Sequence, residues 1–281
     1  MRTLTYESPS GNSVNLFDVD RLWAPNLQGF RQRKREWTLA ARGVTGLARK
    51  ADQRTLRVLC REPELLDDAH RVFDADCERQ SPGRIVVNGE WFQRCLVPDS
   101  EPEDGFNPFV AVENLTFLLL DGGWRRLATS ARFDPSSGDI GGQWLTYPHG
   151  YEYTYRALAI AQSMSNRMLQ GAPFVWRIFG PVVSPYMVIG ENSYRLNATV
   201  PAGAYVTVTA FDDEKTIVQT DIDGQKQNLF SAGERGSGKG SGSYIFEPLP
   251  AGDVQVSWPG NFAFELDVFE TGLEPPWSTL S

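Results

Sequence analysis

The sequence predicts a mostly β protein, with an N-terminal β-rich domain that contains one inserted α-helix and a C-terminal antiparallel β-sandwich. Three observations support this prediction. Several segments of the C-terminal half alternate strictly between apolar and polar residues, as strands with one buried face do. The N-terminal half has one segment with helical spacing, at 63–78. It also has an Asn88-Gly89 pair between two apolar runs, which is a strong signal for a β-hairpin.

In the N-terminal half, a strand, a helix and a hairpin follow one another. The strand is predicted over residues 55–61, where Leu56, Val58 and Cys60 fall on one face. The helix begins at Pro63, because proline is tolerated at the first helical position. Its apolar stripe comprises Leu65, Leu66, Ala69, Val72 and Phe73, and its outward acids are Glu64, Asp67, Asp68 and Asp74. The hairpin is predicted over residues 84–97.

The alternation is clearest in the C-terminal half. Three segments each place apolar residues on one face: Tyr194, Leu196, Ala198 and Val200; Val254, Val256 and Trp258; and Phe262, Phe264, Leu266 and Val268. Turn signals such as Asp223-Gly224 and Pro259-Gly260 separate the segments, which is typical of an antiparallel sandwich. The Gly/Ser-rich stretch 231–243 is predicted to be a flexible hairpin loop, followed by a strand at 244–246.

With 281 residues, the chain is long enough for two domains of ordinary size. We predict an N-terminal domain over residues 1–127, which contains the helix at 63–78, and a C-terminal β-sandwich over residues 173–281. Residues 128–172 have no clear periodicity and are predicted to connect the two domains. The three cysteines, Cys60, Cys77 and Cys95, are odd in number and far apart, so we expect buried free thiols in a reducing compartment.

Charge is distributed unevenly along the chain. The formal net charge is −8, yet residues 21–61 carry eleven Lys and Arg against two acids. Such a basic band is typical either of nucleic-acid binding or of a surface that mates with an acidic surface on another copy, and we favour the second interpretation because few aromatics accompany the band. The candidate interface residues are Arg31, Arg33, Lys34, Arg35 and Arg42 on the basic side and Asp67, Asp68 and Asp74 on the acidic side. A strand in which Trp37 and Leu39 alternate with polar residues follows the basic cluster.

The residues needed for catalysis do not form a recognisable set. His70 and His149 are the two histidines, and they make neither a triad nor a metal site. The stretch 233–239 resembles a phosphate-binding loop, but Gly240 stands where Ser or Thr must hold magnesium. Acids are plentiful, but no pair lies in surroundings that would raise one pKa above the other. We therefore expect no enzyme activity, no catalytic residue, no cofactor and no metal.

Two further features concern partners and membranes. The aromatics Trp144, Tyr147, Tyr151 and Tyr153 lack a buried-face pattern, and they are interpreted either as an interdomain seam, which we favour, or as a patch that stacks on sugars or on a partner. The N-terminus has no apolar signal core, and the apolar run 117–120 is too short to span a bilayer. We expect a soluble protein made in the cytosol and not inserted into a membrane.

The order and spacing of these features resemble the distal tail protein of long, flexible-tailed bacteriophages (siphophages). In the first half the resemblance rests on the basic strand entry at 31–42, the strand at 55–61, the acidic helix at 64–76 and the hairpin at 84–97. In the second half it rests on the stretch 172–180, on Val183-Ser-Pro185, on 203–211 and 220–224, and on the Leu249-Pro-Ala-Gly252 turn before residue 254. Residues 128–155 and the Gly-rich loop are longer than this pattern leads us to expect.

This resemblance implies a structural virion protein at the phage tail tip. The N-terminal domain would close a homo-hexameric ring, and the C-terminal domain would be a galectin-like sandwich that points outward. The implied partners are the tail tube protein above the ring and the tail-tip hub, fibre or baseplate proteins below it, with no catalysis. A second role for the basic band would be transient contact with exiting DNA in the central channel. The alternative function is a carbohydrate-binding β-sandwich protein that contacts host cell-wall sugars.

Overall fold

The computed structural model describes residues 3–25, 30–103, 110–135, 160–166, 168 and 171–275. The chain divides into two compact units, one formed by Met1–Arg126 with Thr271–Ser281 and the other by Leu127–Glu270. The predicted connection, residues 128–172, falls within the second unit, and the chain from Thr271 onward, which we predicted to be part of the C-terminal sandwich, falls within the first. The predicted fold class is confirmed, since both units are built mainly from antiparallel strands.

Besides the last two residues of the final strand, at 271–272, the first unit contains one α-helix and ten strands in its described residues. They are β1 (Leu4–Glu7), β2 (Ser13–Asn15), β3 (Leu22–Trp23), β4 (Glu36–Ala40), β5 (Gly43–Ala48), β6 (Asp52–Cys60), α1 (Pro63–Glu78), β7 (Gly83–Val87), β8 (Trp91–Pro102), β9 (Ala111–Leu119) and the first part of β10 (Trp124–Phe133). Strands β3, β6, β9, β8, β7, β1 and β2 pair in that order, and the start of β10 also pairs with β8. The strands β4 and β5 pair only with each other among the described elements.

Helix α1 has the bounds that the sequence predicts, with Pro63 in its first turn. Ala69 and Phe73 are buried, and the ring of Phe73 meets that of Tyr6 edge-on at a centroid distance of 5.0 Å. The predicted outward acids Glu64, Asp67, Asp68 and Asp74 are exposed. Asp76, in contrast, lies on the buried side of the helix with 2% exposure.

The predicted hairpin corresponds to β7 and β8, which pair from Gly83 opposite Cys95 to Val87 opposite Trp91. Asn88 and Gly89 form its tip with φ angles of 54° and 70°. This left-handed geometry is the one that a two-residue turn requires, and it explains why Asn-Gly occupies this position. The strand predicted at 55–61 is also present as β6, with Leu56, Val58 and Cys60 buried.

The second unit is a sandwich of two antiparallel sheets. Its further strands are β11 (Ile160–Asn166), β12 (Phe174–Phe179), β13 (Val182–Val183), β14 (Tyr186–Ile189), β15 (Asn192–Arg195), β16 (Thr199–Val200), β17 (Tyr205–Ala210), β18 (Lys215–Thr220), β19 (Lys226–Asn228), β20 (Gly252–Trp258) and β21 (Phe264–Gly272). One sheet has the order β19, β18, β17, β12, β21 and β10, and the other has the order β11, β20, β14 and β15. A short pair, β13 with β16, completes the described strands.

Aromatic side chains fill the space between the two sheets. Phe264 of β21 stacks on Phe133 of β10 at 4.5 Å and meets Trp258 of β20 edge-on at 5.5 Å. Phe174 of β12 meets Tyr194 of β15 edge-on at 5.4 Å. Aromatic pairs of this kind add about 0.5–1.5 kcal/mol each to the stabilisation from area burial. The alternation of residues 254–258 and 262–268 is thus confirmed as the buried face of a sandwich.

The Gly/Ser-rich stretch differs from its prediction. It begins in a short 3-10 helix, Phe230–Ala232, and its backbone is held by hydrogen bonds, such as those from Gly240 N to Glu247 Oε2 at 2.8 Å and from Ser193 N to Gly242 O at 2.9 Å. The predicted strand at 244–246 is wrong, because Ile245 and Phe246 lie in a turn. Both side chains are nevertheless buried in the sandwich core, so their apolar character reflects packing and not strand pairing.

Candidate interaction surface

No group of three or more His, Cys, Asp or Glu side chains among the described residues is arranged to hold a metal ion. None of the helices in the described part of the chain has the length and apolar character needed to cross a membrane. His149 lies outside the described residues, and His70 Nε2 lies 3.0 Å from Oε2 of the buried Glu113.

The three cysteines are free thiols, as predicted from their number and spacing. Cys60 and Cys95 are buried, and Cys77 is half-buried. Burial raises the pKa of all three thiols above the ordinary value. Because the thiolate is the nucleophilic form, this environment keeps them unreactive at neutral pH.

A polar cleft of about 510 Å³ opens beside the β1–β2 turn. Its lining contains one carboxylate, Glu7, which forms a 2.6 Å ion pair with Arg84. The arrangement needed for acid–base catalysis, in which two titratable groups converge on a substrate, does not occur in this lining.

The most unusual surface is the hairpin formed by β4 and β5. Every residue from Glu36 to Ala48 is exposed. Four of them are large and apolar: Trp37 is 64% exposed, Leu39 67%, Val44 55% and Leu47 61%. Exposure of four large apolar side chains to water is unfavourable, and a contiguous exposed apolar patch marks an interaction surface.

The register of the hairpin places these four side chains on one face. Trp37 lies opposite Leu47, and Leu39 lies opposite Val44. In a regular strand, residues three apart point to opposite faces. Here Thr45 has no partner, which is a β-bulge, and the extra residue brings Val44 to the same face as Leu47.

The bulge is fixed by local chemistry. The hydroxyl of Thr45 donates a 3.1 Å hydrogen bond to the carbonyl oxygen of Thr38 on the other strand. The opposite face carries the charged side chain of Glu36 and the smaller side chains of Thr38, Ala40 and Ala48. The hairpin therefore has one apolar face, defined here as the β4–β5 face (Trp37, Leu39, Val44 and Leu47).

Most of the predicted basic cluster, residues 31–35, directly precedes β4, and much of it has partners within the chain. Lys34 Nζ is 2.8 Å from Asp52 Oδ1, and Arg33 Nε is 3.6 Å from Glu274 Oε1. Arg31 also interacts within the chain. Arg35 and Arg42 are exposed, and no described acid forms an ion pair with either of them. Arg35 precedes β4 and Arg42 lies in the turn, so these two cations bracket the β4–β5 face.

The predicted acidic candidates lie on α1. Asp67, Asp68 and Asp74 are all exposed, and Asp68 Oδ1 forms a 2.7 Å ion pair with Arg71 one turn along the helix. The described ion pairs of Lys34 and Arg33 go to Asp52 and Glu274, and not to these acids. The aromatic candidates Trp144, Tyr147, Tyr151 and Tyr153 lie outside the described residues. The β4–β5 face itself was missed by the sequence prediction, although the alternation of Trp37 and Leu39 was visible.

Comparison with known proteins finds matches among solved structures. No family model matches the chain, and no curated protein matches it. Among solved structures, the Dit protein (gp 19.1) of phage SPP1, described as a paradigm of the hub adsorption apparatus in phages that infect Gram-positive bacteria, is similar with a TM-score of 0.56 and 11% identity. The match covers 97% of this chain and 99% of that one.

The baseplate of phage P2 in its activated conformation is also similar. In the baseplate structure with Ca, the matching chain aligns to this chain with a TM-score of 0.60 and 10% identity, and the match covers 98% of this chain and 100% of that chain. With Sr, it gives a TM-score of 0.58 at 11% identity, over the same 98% and 100%. At these identities the matches establish a common fold over nearly the whole chain.

Proposed function

We propose that this chain is a distal tail protein: a structural, non-enzymatic virion component that forms a homo-hexameric ring at the tip of a phage tail. The ring joins the tail tube protein to the tail-tip hub, fibre or baseplate proteins. In this proposal the first unit builds the ring and the second unit, a galectin-like sandwich, points outward. The fold match supports it, because the similar chains from the SPP1 hub and the P2 baseplate are covered almost completely.

The observation that carries the self-association is the β4–β5 face. Its four side chains are between 55% and 67% exposed, and covering a large apolar side chain contributes about 1.5–3 kcal/mol. The hairpin contributes nothing to the buried core of its own unit, since none of its residues is buried. A hairpin that is apolar but does not pack on the described core of its own unit is best explained by contact with a second copy.

Ring closure needs a heterologous interface, in which one surface of each copy meets a different surface of the next. A projecting hairpin and a separate receiving surface satisfy this requirement. The exposed cations Arg35 and Arg42 beside the β4–β5 face and the exposed acids Asp67 and Asp74 on α1 have opposite charge. Such a pairing orients the copies and speeds their association more than it adds affinity.

The experiment that tests this function is a measurement of the particle formed by the full chain. Multi-angle light scattering is expected to give a mass near six times the 31.4 kDa of one chain. Electron microscopy of the same sample is expected to show rings with six-fold symmetry and a central channel. A single-chain mass at every concentration, together with failure to bind a tail tube ring, would contradict the proposal.

A further inference from the structure

A small cavity of about 40 Å³ in the first unit is lined by both ends of the β4–β5 hairpin and by the sheet. Residues 34–36 line it from the start of the hairpin, and residues 50–52 line it from the chain that follows the hairpin. Arg54 of β6, Gln93 of β8 and Leu119 of β9 contribute from the sheet. All the lining residues belong to the first unit, so the cavity is a feature of that unit alone.

Positive charge predominates in the lining of this cavity. Asp52 is shared by two cations, since its Oδ1 lies 2.8 Å from Lys34 Nζ and its Oδ2 contacts the guanidinium of Arg54. Glu36 pairs with Lys50. Arg35 forms no ion pair with a described acid. The lining therefore has an excess of two positive charges, because its charged residues are Lys34, Arg35, Lys50 and Arg54 against Glu36 and Asp52.

The charged groups next to the lining do not reduce this excess. Arg33 and Glu274 pair with each other at 3.6 Å. Arg49, which lies against the cavity wall, is a further cation with an interaction of its own within the chain. Asp121 precedes two lining glycines, but its carboxylate is already held by Arg94 at 2.6 Å. An anion that enters the cavity therefore meets an uncompensated positive charge.

The lining also includes two buried hydrogen-bond donors. Gln93 is 2% exposed and lies on the same face of β8 as the buried Trp91 and Cys95. Its side-chain amide forms no hydrogen bond with any other residue that the structure describes. The side chain of Arg54 is 9% exposed. A buried amide is unfavourable without a partner, and folded proteins almost always supply one from the chain, from water or from an ion.

We infer that this cavity binds a free oxyanion that carries two negative charges, of which inorganic phosphate is the model. The amide of Gln93 donates a hydrogen bond to one oxygen, and the surrounding cations neutralise the charge. The excess of two positive charges matches a dianion, whereas a carboxylate or a phosphodiester of nucleic acid carries a single charge. The volume admits a few non-hydrogen atoms, as a small ion requires. The inference goes beyond the proposed function and does not depend on it.

The test is a calorimetric titration of the full chain with inorganic phosphate at constant ionic strength, so that charge screening does not change during the titration. We expect saturable binding of one ion per chain. Sulfate, a dianion of the same shape, is expected to compete with phosphate, and acetate and a short DNA duplex are not. Competition by acetate would indicate a carboxylate site and competition by DNA a nucleic-acid contact, and either result would overturn the assignment to a free dianion.

The first variant is Gln93→Leu, which removes the buried amide at similar volume. It is expected to weaken phosphate binding by about tenfold or more, because a hydrogen bond to a charged group is lost. It is also expected to raise the melting temperature in phosphate-free buffer, because an apolar side chain replaces a buried amide without a described partner. These two changes in opposite directions distinguish loss of an anion site from damage to the fold.

The second variant, Arg35→Gln, changes an exposed lining residue and keeps the test valid if Gln93→Leu does not fold. It is expected to weaken phosphate binding because one of the excess charges is removed. The matched control is Arg61→Gln, at an exposed arginine of the same unit outside the lining, which is expected to leave binding unchanged. The inference is overturned if phosphate does not saturate, if Gln93→Leu binds it as tightly as the unmodified chain, or if the two arginine variants behave alike. None of these outcomes decides whether the chain forms a ring.

Discussion

The hydroxyl of Tyr6 donates a 2.7 Å hydrogen bond to Oδ2 of Asp76, a carboxylate that is 2% exposed. The hydroxyl of Ser8 donates to Oδ1 of the same carboxylate at 2.8 Å. These two bonds attach α1 to the end of β1 and the residue after it. Because buried polar groups are costly unless they are hydrogen-bonded, the three side chains depend on one another.

Replacement of Asp76 with Ala is expected to destabilise the first unit by about 3 kcal/mol, because two buried hydroxyl groups lose their acceptor at about 1–3 kcal/mol each. Urea unfolding followed by circular dichroism measures the change. The control is Asp74→Ala, an exposed acid on the same helix, which is expected to change stability by less than about 0.5 kcal/mol. Equal effects of the two substitutions would show that the buried hydrogen bonds do not contribute.

Alkaline pH is expected to destabilise the folded chain. Burial raises the pKa of the Cys95 thiol, and burial followed by the hydrogen bond to Asp76 raises the pKa of Tyr6. A group whose folded pKa is raised contributes stability that is complete below its unfolded pKa, about 8.5 for Cys and about 10 for Tyr. Above that value the unfolded chain releases the proton and the folded chain keeps it, so the free energy of unfolding falls as pH rises.

The measurement is urea unfolding at a series of pH values from about 7 to about 11. Cys95→Ser removes one of the buried groups that titrate in this range and is expected to flatten the decline above about pH 8.5. Tyr6→Phe is expected to flatten it only above about pH 10. If the free energy of unfolding of the unmodified chain stays constant through this pH range, the buried Cys95 and Tyr6 do not make stability depend on pH.

The sequence predicted those elements whose signals are local. The Asn88-Gly89 turn specifies its own hairpin, Pro63 and the apolar stripe specify α1, and the alternation in β20 and β21 is read within each strand. The strand predicted at 244–246 was wrong because the prediction also used only local sequence. A short apolar run is equally consistent with a strand and with a buried turn.

The remaining features depend on contacts between residues far apart in sequence. Arg33 has its partner at Glu274 and Arg132 has one at Glu265, and no local pattern indicates either pair. The buried position of Asp76 was missed because acids on an amphipathic helix normally face water. The alternation of Trp37 and Leu39 predicted a strand with one apolar face, but it did not indicate that this face stays exposed among the described residues.

Reversal of the exposed charges beside the β4–β5 face is expected to weaken ring assembly. Arg35→Glu with Arg42→Glu leaves the ion pairs of Arg33 and Lys34 intact, and it is expected to raise the concentration needed for assembly by about tenfold, since exposed ion pairs contribute about 0.2–1 kcal/mol each. Lys215→Glu with Lys226→Glu, at two exposed lysines of the second unit, is the charge-matched control. Adding a copy with reversed acids on α1 (Asp67→Lys, Asp74→Lys) is expected to restore mixed assemblies. If mixed assemblies do not form, this pairing of surfaces is wrong, but the proposed ring itself is not contradicted.

Loss of the apolar side chains of the hairpin is expected to abolish assembly without unfolding the chain. Trp37 and Leu47 lie opposite one another and are 64% and 61% exposed, so Trp37→Ser with Leu47→Ser leaves the described core of the first unit intact. In a ring each side chain would contribute about 1.5–3 kcal/mol at every interface, and their joint loss weakens assembly by more than about a hundredfold. Light scattering and thermal unfolding measure the two properties separately. Ile222→Ser, which replaces a 79% exposed apolar residue of the second unit, is expected to leave both unchanged. Rings formed by the hairpin variant at normal concentrations would show that the β4–β5 face meets some other partner.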